Sequence, residues 1–595
     1  MDQYLAAKDS REDWYKTAVE AYNLYHGNQW EKEDIAAMRC AGRPHLTFNN
    51  IQPFINAISG SEISNKQVIK YYPREPGDLR ANELLTAIAD WFRESTLGDE
   101  VDTAVFKDSL ICGIGWSETT LDYSNNPEGD PCIRRLDPLK MFWDNSDIED
   151  NLRNAKYLFY VNDLPLEQLE EMFPNASKTE FNAATDEDYA KDSKDFGTVI
   201  EARYKVKKKF VRYINPFNQT ATDVTKSEFD KFQQVYNNVI TNYKEYKKEV
   251  VYRCFLGSTK ILEDPMQISS SGTSFGWNAI TAYCDNINKQ YYGVIKNMKD
   301  PQLCINKFFS ETVYNYNVQG KGGLFVEEGA LLSKEQFAQT LTRADQVTFL
   351  NAGGISKIQS KPVAQMSPVL PSLLSFAENQ MNQVVGVSRE FLGTREINQP
   401  GVLERQRKQA SLNILAPLFE NLKAYRVSQG QDILFLIQNF LSDGRLVKIV
   451  HQEKAQYIPL AKEALANKEY DIIVDDAPLS LNSQERDYNT VMQMLPMFGK
   501  DLTPELLLEV MKLSTLPSDF IDKAEQVIQS QKPDPQQQQQ QQQLAQQATN
   551  MQQQKVGADI AKSHAQAQKD LAQAHRNQAL AKLHDVQIAE HLTNL

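Results

Sequence analysis

The chain has 595 residues, of which 41% are hydrophobic and 24% are charged, and its formal net charge is −14. This length suggests about four domains, and apolar side chains are abundant enough for large cores until the glutamine-rich tail begins. A net negative charge argues against tight general binding to DNA, because such binding requires cations that neutralise phosphates. No run of about 18 apolar residues occurs and the first residues are polar, so we expect a soluble, intracellular protein.

The six cysteines and seven histidines show no metal-binding arrangement in the sequence. The cysteines lie far apart without a CxxC motif, which favours a reduced compartment and predicts no structural zinc. The GxxxxGK[ST] nucleotide loop and the HExxH and GxSxG motifs do not occur either. Asp475 and Asp476 could in principle bind magnesium, but adjacent residues of a strand point to opposite faces. We therefore expect no enzyme activity, no catalytic residues, no cofactor, no metal and no small-molecule substrate.

Hydrophobic periodicity predicts several helices in the N-terminal part of the chain. They fall at residues 14–25, 51–60, 79–92 and 103–111. The last of them leads into Gly113 to Gly115, a GxG pattern that lacks the third glycine of a dinucleotide loop, so a turn between helix and strand is the better interpretation. The strand that follows, Trp116 to Tyr123, is expected to return as Cys132 to Leu136.

Residues Ile200 to Val206 alternate between apolar and charged side chains, which predicts a half-buried strand. A basic cluster overlaps the end of this strand. It consists of Lys205, Lys207, Lys208, Lys209 and Arg212. These side chains could contact phosphate, and the alternative is a solvated strand end and turn.

The middle of the chain predicts a helix, a small β unit and a second helix, in that order. Aromatic and aliphatic residues at steps of three and four predict a helix over 226–248, and the sequence from Val250 to Leu262 is typical of a compact β unit. Asp300 and Pro301 are a start signal for another helix over 301–317. Such an excursion is expected to project from the body as a stalk with a cap.

A further pair of helices is predicted on either side of a polar loop. The first helix includes Leu373 and Val384 and stops near Gly386, and the second runs from Val402 to Leu441 with a kink at Pro417. The loop between them carries both charge signs and amides. Its candidate functional residues are Arg389, Glu390, Arg395, Glu396, Asn398 and Gln399. The loop is either a functional projection or an ordinary surface turn. Residues 469–476 then predict a strand.

The C-terminal tail combines a tract of eight glutamines, Gln536 to Gln543, with a helical run over about 555–592. Two heptad rows of small apolar residues follow this helix. They are Ala558, Ala565, Ala572, Ala579 and Val586 in one row, and Ile560, Ala567, Ala574, Ala581 and Ile588 in the other. The rows are offset by roughly 206°, so they lie on nearly opposite sides and fit a helix with a neighbour on each side. This arrangement predicts a closed ring or barrel of identical helices, whereas a free Gln/Ala-rich helical tail is the alternative.

Taken in order, these motifs resemble the portal (head-to-tail connector) protein of short-tailed double-stranded DNA bacteriophages. The motifs that carry the resemblance are Trp30 with Gly42 to Pro44, Asn49 to Gly60, Cys112 to Trp116, Arg135 to Pro138 with Trp143 and Asp144, Ile200 to Val206, Glu378 to Gly386, Val402 to Gln406, Tyr470 and Asp471 with Ser483 to Arg486, and the tail. The resemblance spans nearly the whole chain. Each motif is loose alone, and their order makes the resemblance specific.

The resemblance implies an α+β portal fold that assembles as a ring of twelve copies at one capsid vertex. Its parts would be the wing or body (1–225 and 318–385), stem helices (226–248 and 301–317), clip (249–300), tunnel loop (386–401), long helix (402–441), crown (442–535), and Gln-rich linker with helical barrel (536–595). The tunnel-loop residues would face the DNA channel. Tyr252, Arg253 and Phe255 of the clip would dock partner proteins, because two helices would hold them away from the body.

The resemblance also implies the partners of the ring. A terminase large subunit would drive double-stranded DNA through the channel without tight binding, and tail adaptor proteins, the major capsid protein and a scaffolding protein would contact the ring. The protein would be assembled in the host cytoplasm and reside in the virion at a capsid vertex. A scaffold-like oligomer without a channel and a DNA-packaging enzyme are the two alternatives from other functional classes.

Overall fold

The computed structural model describes residues 1–64, 67–73, 79–146, 149–181, 196–214, 221–235, 242–269, 275–321, 323–340, 347, 349–360, 369–387, 391, 401–441, 446–451, 454–459, 470–476, 562–574 and 576–577. The chain divides into two units, Met1–Ser480 and Leu481–Leu595. In the second unit, the described residues 562–574 form a helix whose side chains are all exposed.

The first unit combines helices and strands along its whole length. Its helices within the described ranges are α1 Asp2–His26, α2 Lys32–Cys40, α3 Ile51–Ser64, α4 Leu79–Ser95, α5 Gly98–Cys112, α6 Leu166–Met172, α7 Lys226–Val235, α8 Ile295–Lys321, α9 Lys334–Thr340, α10 Val369–Val385 and α11 Gly401–Asn439. Short 3-10 helices occur at Pro138–Lys140, Asp150–Leu152, Lys178–Phe181 and Gly354–Lys357.

The strands of the described ranges pair in antiparallel fashion. They are β1 Gln67–Pro73, β2 Ile114–Asp122, β3 Asp130–Leu136, β4 Met141–Trp143, β5 Tyr157–Pro165, β6 Phe196–Ile214, β7 Ala221–Thr225, β8 Tyr243–Leu256, β9 Ile261–Ser269, β10 Trp277–Thr281, β11 Tyr283–Asp285, β12 Gln290–Tyr292, β13 Leu324–Val326, β14 Ile358–Ser360, β15 Leu446–His451, β16 Lys454–Pro459 and β17 Tyr470–Asp476. The largest sheet has the order β4-β5-β6-β8-β9, with β7 added to β6. A second sheet has the order β10-β2-β3, and β1 pairs with β17.

The long helix α11 joins two hydrophobic cores. Its first half contributes Leu415 and Leu422 to a core shared with α1, α3, α5, α8 and α10. Its second half contributes Ile433 and Ile437 to a core shared with α4, β1 and β17. Because apolar burial is the main favourable term in folding, these two contacts fix α11 to the body along most of its length.

A buried ionic network, centred on Asp102 of α5, also fixes α11. A carboxylate oxygen of Asp102 lies 2.8 Å from Nη2 of Arg93 and 3.3 Å from Nε of Arg426. Nη2 of Arg426 lies 2.5 Å from a carboxylate oxygen of Glu62. The Tyr425 hydroxyl lies 2.9 Å from Asp102. Burial alone would raise the pKa of the Asp102 carboxyl, but the two arginines outweigh it and lower that pKa. Asp102 is therefore ionised at neutral pH.

Most of the elements predicted from the sequence are present, and the α+β class is confirmed. The predicted helices at 14–25, 51–60, 79–92 and 103–111 fall within α1, α3, α4 and α5, and α10 and α11 flank the polar loop as expected. The GxG sequence is a turn: Gly113 ends α5 with φ 97°, and a Cβ there would lie 2.4 Å from the Tyr292 backbone nitrogen. The helix predicted to begin at Pro301 begins instead at Ile295.

The helix predicted over 226–248 is wrong from Tyr243 onward, and residues 236–241 lie outside the described residues. That helix, α7, has 10 residues, and the chain from Tyr243 onward belongs to strand β8. Tyr243 and Tyr246 were assigned to a helix face by their spacing, but they lie opposite Tyr213 and Phe210 of β6. The long strand β6 supplies the backbone partners for β8, and this long-range pairing overrides the local helical spacing.

The projection of residues 249–300 from the body is also wrong. Strand β8 lies inside the largest sheet between β6 and β9, and β10 pairs with β2 of the body. Val250 and Val251 are completely buried. Thus the β hairpin predicted near Val250 to Leu262 exists, but it is part of the body rather than a cap on two helices.

Candidate functional site

The order of helix, small β unit and helix does occur, at a later position than the sequence predicted. Helix α8 leads into a small unit over residues 323–360, and α10 leads out of it and packs against α8. We call residues 323–360 the distal unit. Within it, β13 pairs with β14 in the register Phe325 to Gln359, and a bridge joins Leu331 to Leu350. Helix α9 and a 3-10 turn complete the described part of the distal unit.

The distal unit exposes a set of large apolar side chains. Five of them are more than half exposed: Phe325 at 55%, Leu332 at 66%, Val347 at 80%, Phe349 at 77% and Ile355 at 80%. Single exposed apolar residues are common on any protein, but several on one small unit indicate a surface that becomes covered on assembly.

A ladder of polar side chains anchors α8 to an extended segment near the N-terminus. The buried residues Gln302, Asn306 and Ser310 follow one another at intervals of four along the helix. Gln302 and Asn306 accept hydrogen bonds from the backbone N–H groups of Asn50 and Phe48 at 3.1 and 3.0 Å, and the Ser310 hydroxyl accepts one from Leu46 at 3.0 Å.

The spacing of the acceptors along α8 matches the spacing of the donors along the extended segment. Four helical residues rise about 6.0 Å, and two extended residues span about 6.6 Å, so each helical step meets the next inward-facing N–H group. The Phe48 ring also packs against the Phe309 ring with centroids 4.4 Å apart. The base of the α8–α10 pair is therefore held rigidly on the body.

The chain then passes from α10 into the polar loop and α11. Gly386 ends α10 with φ 70°, and a Cβ there would lie 2.9 Å from a methyl carbon of Ile414 on α11. Close helix packing and a left-handed backbone both favour glycine at this position. The polar loop thus begins and ends on two helices that are packed into the same core.

Comparison with known proteins identifies the family of this chain. The family model described as phage P22-like portal protein matches residues 1–579. The chain belongs to the phage P22-like portal protein family. A relative named portal protein, from Helicobacter pylori bacteriophage KHP30, is 20% identical over 616 residues, which cover 100% of this chain and 93% of that relative. Portal proteins form a structural, non-enzymatic family, and they are virion components of phages that act as homo-oligomeric rings in the capsid.

The residues predicted to dock partners of the portal protein lie in the largest sheet. The Tyr252 ring stacks on the Tyr204 ring at 6.0 Å, and Phe255 is buried against Phe173 with ring centroids 5.3 Å apart. The guanidinium of Arg253 lies 3.8 Å from Glu263 of β9. The structure does not bring these three side chains to the end of a projecting unit.

The predicted tunnel-loop residues of the portal protein fall outside the described residues. These are Arg389, Glu390, Arg395, Glu396, Asn398 and Gln399. The described positions on either side, Val387 and Gly401, fix where the loop enters and leaves. The interruption of the two helices is confirmed, whereas the orientation of the loop side chains stays a prediction.

The predicted barrel contacts of the portal protein are only partly described. Ala565, Ala567, Ala572 and Ala574 lie on a helix and are exposed in the single chain. The positions outside the described residues are Ala558, Ile560, Ala579, Ala581, Val586 and Ile588. A helix with all its side chains exposed agrees with either alternative drawn from the sequence, a barrel or a free tail.

The search for a metal site or a membrane span was confined to the described residues. Among them, no group of three or more His, Cys, Asp or Glu side chains is placed to hold a metal ion. The same residues include no helix with the length and apolarity to cross a membrane.

Sequence reasoning missed both the Asp102 network and the distal unit. The network joins residues more than 300 positions apart, such as Asp102 and Arg426, so no local spacing reveals it. The distal unit had a usable signal in its glycines and short apolar runs between two strongly periodic helices.

Proposed function

We propose that this portal protein forms a ring of twelve copies at one capsid vertex, and that the genome enters and leaves through its central channel. The observation that carries the proposal is the succession of α8, distal unit, α10, polar loop and α11. A packed helix pair with a small β unit between its two members would supply a docking end. A polar loop between two anchored helices supplies a surface that twelve copies would present around a common axis.

In this proposal the distal unit is the clip, in place of residues 249–300. Its exposed Phe325, Phe349 and Ile355 suit contact with neighbouring subunits, with the terminase large subunit during packaging, and with tail adaptor proteins afterwards. The helices α8 and α10 are then the stem. The body packs against the major capsid protein and scaffolding protein during assembly in the host cytoplasm.

The loop over 386–401 is proposed to face DNA in the channel. Arg389 and Arg395 would contact phosphates briefly, and the neighbouring Glu390, Glu396, Asn398 and Gln399 would keep the binding weak. The tail over 555–592 is proposed to form a barrel of helices through its two alanine rows.

Projection images of the purified full-length protein test the ring directly. We expect a closed ring with an open centre and a protrusion formed by the stem and clip. A compact oligomer without a channel would support the scaffold alternative, and an ATPase activity that increases with added DNA would support the packaging-enzyme alternative.

The clip assignment has its own test. Replacing Phe349 and Ile355 by Ser should reduce terminase-dependent packaging at least about tenfold, because it removes apolar area needed for docking, while the contacts of the body still hold the ring together. The control is Ile287→Ser, since Ile287 is 90% exposed on a loop outside the distal unit. Equal effects of the two variants would contradict the assignment of residues 323–360 as the clip.

The loop assignment is tested with Arg389→Ala combined with Arg395→Ala. DNA retention or translocation should be impaired while the ring still forms. Loss of the ring in this variant would mean that the loop is a subunit interface instead.

A further inference from the structure

The C-terminal end of β6 and the N-terminal end of β8 form a cationic arm together with β7 and α7. We define the arm as residues 205–249. It contains ten basic and five acidic residues, a net charge of +5 in a chain whose net charge is −14. The arm has a small core of its own, made by Val211, Tyr213 and Phe229. Charge of this sign is therefore concentrated on one separately packed part of the body.

The strand register places like charges opposite one another. Lys208 pairs with Lys248, Lys209 with Lys247, and Arg212 with Lys244. Like charges directly opposite on neighbouring strands destabilise a sheet, because their side chains lie about 5 Å apart at the Cβ atoms. Three such pairs within five residues of β6 reduce the stability of the arm, and a bound anion would remove that cost.

One face of the arm carries four cations that are exposed or half-buried, although the Phe210 ring among them is buried. Helix α7 covers the face that carries Val211 and Tyr213, because the Phe229 ring lies 5.4 Å from the Tyr213 ring. Side chains alternate along a strand, so Lys208, Phe210 and Arg212 point to the other face. On β8, Lys244, Tyr246 and Lys248 lie opposite them. We call this set of six side chains the open face.

The cations of the open face have little compensation by carboxylates. Among the described residues, Lys208, Lys244 and Lys248 form no ion pair, whereas Arg212 is paired with Asp223 of β7 at 2.8 Å. The Lys208 ammonium instead lies 4.6 Å from the centre of the Tyr252 ring, and that of Lys248 lies 5.6 Å from the Phe210 ring. The Lys208 ammonium also donates a hydrogen bond to Oε1 of Gln267 at 3.4 Å. These partners are uncharged, so they leave the positive charges of the two lysines available to an anionic ligand.

From this geometry we propose that the open face binds duplex DNA through its phosphates, independently of base sequence. Two rows of two cations, about 13 Å apart along the strands, form a flat array that matches an extended polyanion. Three of the four cations are lysines, which bind phosphate as point charges, and no arginine fork is free to read bases. This DNA site is separate from the proposed channel loop and does not depend on the ring having a channel.

The test uses the full-length protein and a duplex of about 12 base pairs, close to one helical turn. The variant is Lys208→Gln, Lys244→Gln and Lys248→Gln. The matched control is Lys209→Gln, Lys231→Gln and Lys247→Gln, which removes the same charge from exposed positions off the open face. DNA affinity is measured by fluorescence anisotropy over a series of salt concentrations.

We expect the open-face variant to lose about 100-fold in affinity at 0.15 M salt, and the slope of log K against log salt to become shallower by about 2.7. The control should change the affinity less than fivefold. The melting temperature of the open-face variant should stay equal to that of the parent or increase, because it removes like-charge pairs. A lower melting temperature with lost DNA binding would mean damage to the fold and would overturn the proposal.

Further outcomes separate DNA from other partners. Equal loss in the variant and the control would show only a general charge effect. Competition by polyglutamate as effective as that by DNA of equal charge would indicate an acidic protein partner. A variant that fails to form the ring would indicate that a second copy of this chain covers the open face. Each of these results contradicts the DNA site, and none of them bears on whether Arg389 and Arg395 contact DNA in the channel.

Discussion

Replacing Asp102 by Asn should loosen the attachment of α11 to the body more than any other single polar substitution in the network. Asp102 is completely buried, and its carboxylate lies between the guanidinium groups of Arg93 and Arg426. The neutral amide keeps the shape of the side chain but leaves two buried cations with one fewer counter-charge. Removing one partner of a buried ion pair costs about 3–5 kcal/mol, because the remaining charge has no water to solvate it.

The structure provides a matched control on the same arginine. Nη2 of Arg93 lies 2.7 Å from Asp99 and 2.8 Å from Asp102, but the Asp99 side chain is 54% exposed. Exposed ion pairs contribute about 0–1 kcal/mol, so Asp99→Asn should have an effect several times smaller. The two substitutions make the same chemical change at nearly the same distance, and only burial differs.

Hydrogen exchange in the native ring is the suitable assay, because a large oligomer does not unfold in two states. The peptides to follow cover α5 and the second half of α11. For Asp102→Asn, the free energy of local opening at pH 7 should fall by about 3–5 kcal/mol.

The pH dependence gives a second check on the same substitution. The folded-state pKa of Asp102 lies below its usual value, so its stabilising contribution is complete above about pH 4 and is lost as the pH falls through the folded-state pKa. The difference between the parent and Asp102→Asn should therefore shrink only below about pH 4. Equal effects of Asp102→Asn and Asp99→Asn at pH 7 would refute the argument that burial makes this network strong.

Three further predictions concern the polar ladder of α8, the half-buried Asp90 of α4, and the tail. Asn306→Leu should leave the Phe48 N–H without its partner and speed hydrogen exchange of residues 46–50, because the free energy of local opening falls by about 1–3 kcal/mol. Lys307→Leu, on the exposed side of α8, is the control. Burial raises the pKa of Asp90 to about 6, so ionisation opposes folding as the pH rises from about 4 to about 6; Asp90→Asn should raise the melting temperature at pH 8 and not at pH 4. Glutamate placed on both tail rows should separate the barrel in projection images while the ring survives, and an unchanged barrel would exclude the two-row arrangement. The four substituted positions are Ala565, Ala567, Ala572 and Ala574.

The sequence predicted the elements that local periodicity controls. Helices α3 and α10 carry apolar residues at steps of three and four, and both formed where expected. The apolar face of α3 packs into the core, whereas α10 enters it through Ala377, Met381 and Val385 and leaves the predicted Leu373 and Val384 exposed. The strand at Ile200 to Val206 also formed, but it is not half-buried as predicted. Glu201 and Arg203 are buried as well as Ile200, and Val206 is exposed. The resemblance to portal proteins added the family, because it depends on the order of motifs rather than on any one contact.

Long-range pairing explains what the sequence did not predict. Tyr243 to Glu249 is rich in Lys and Glu, which favour a helix, yet it forms a strand because β6 offers a continuous edge over the same length. That single error placed the predicted clip at residues 249–300. The same pairing created the open face, since Lys244 and Lys248 become neighbours of Lys208 and Arg212 only through the register of β6 and β8.

The two proposed DNA surfaces are attached to the body in different ways. The polar loop enters α11 at Gly401, and α11 is fixed by two apolar cores and by Arg426 in the Asp102 network. The two ends of the loop are therefore held in fixed positions on the body. The arm is held by the sheet through β6 and β8, and its described residues include a core of three buried side chains. We expect the arm to move more easily than the ends of the polar loop. The two surfaces should therefore differ in how long each holds DNA, as well as in their charge.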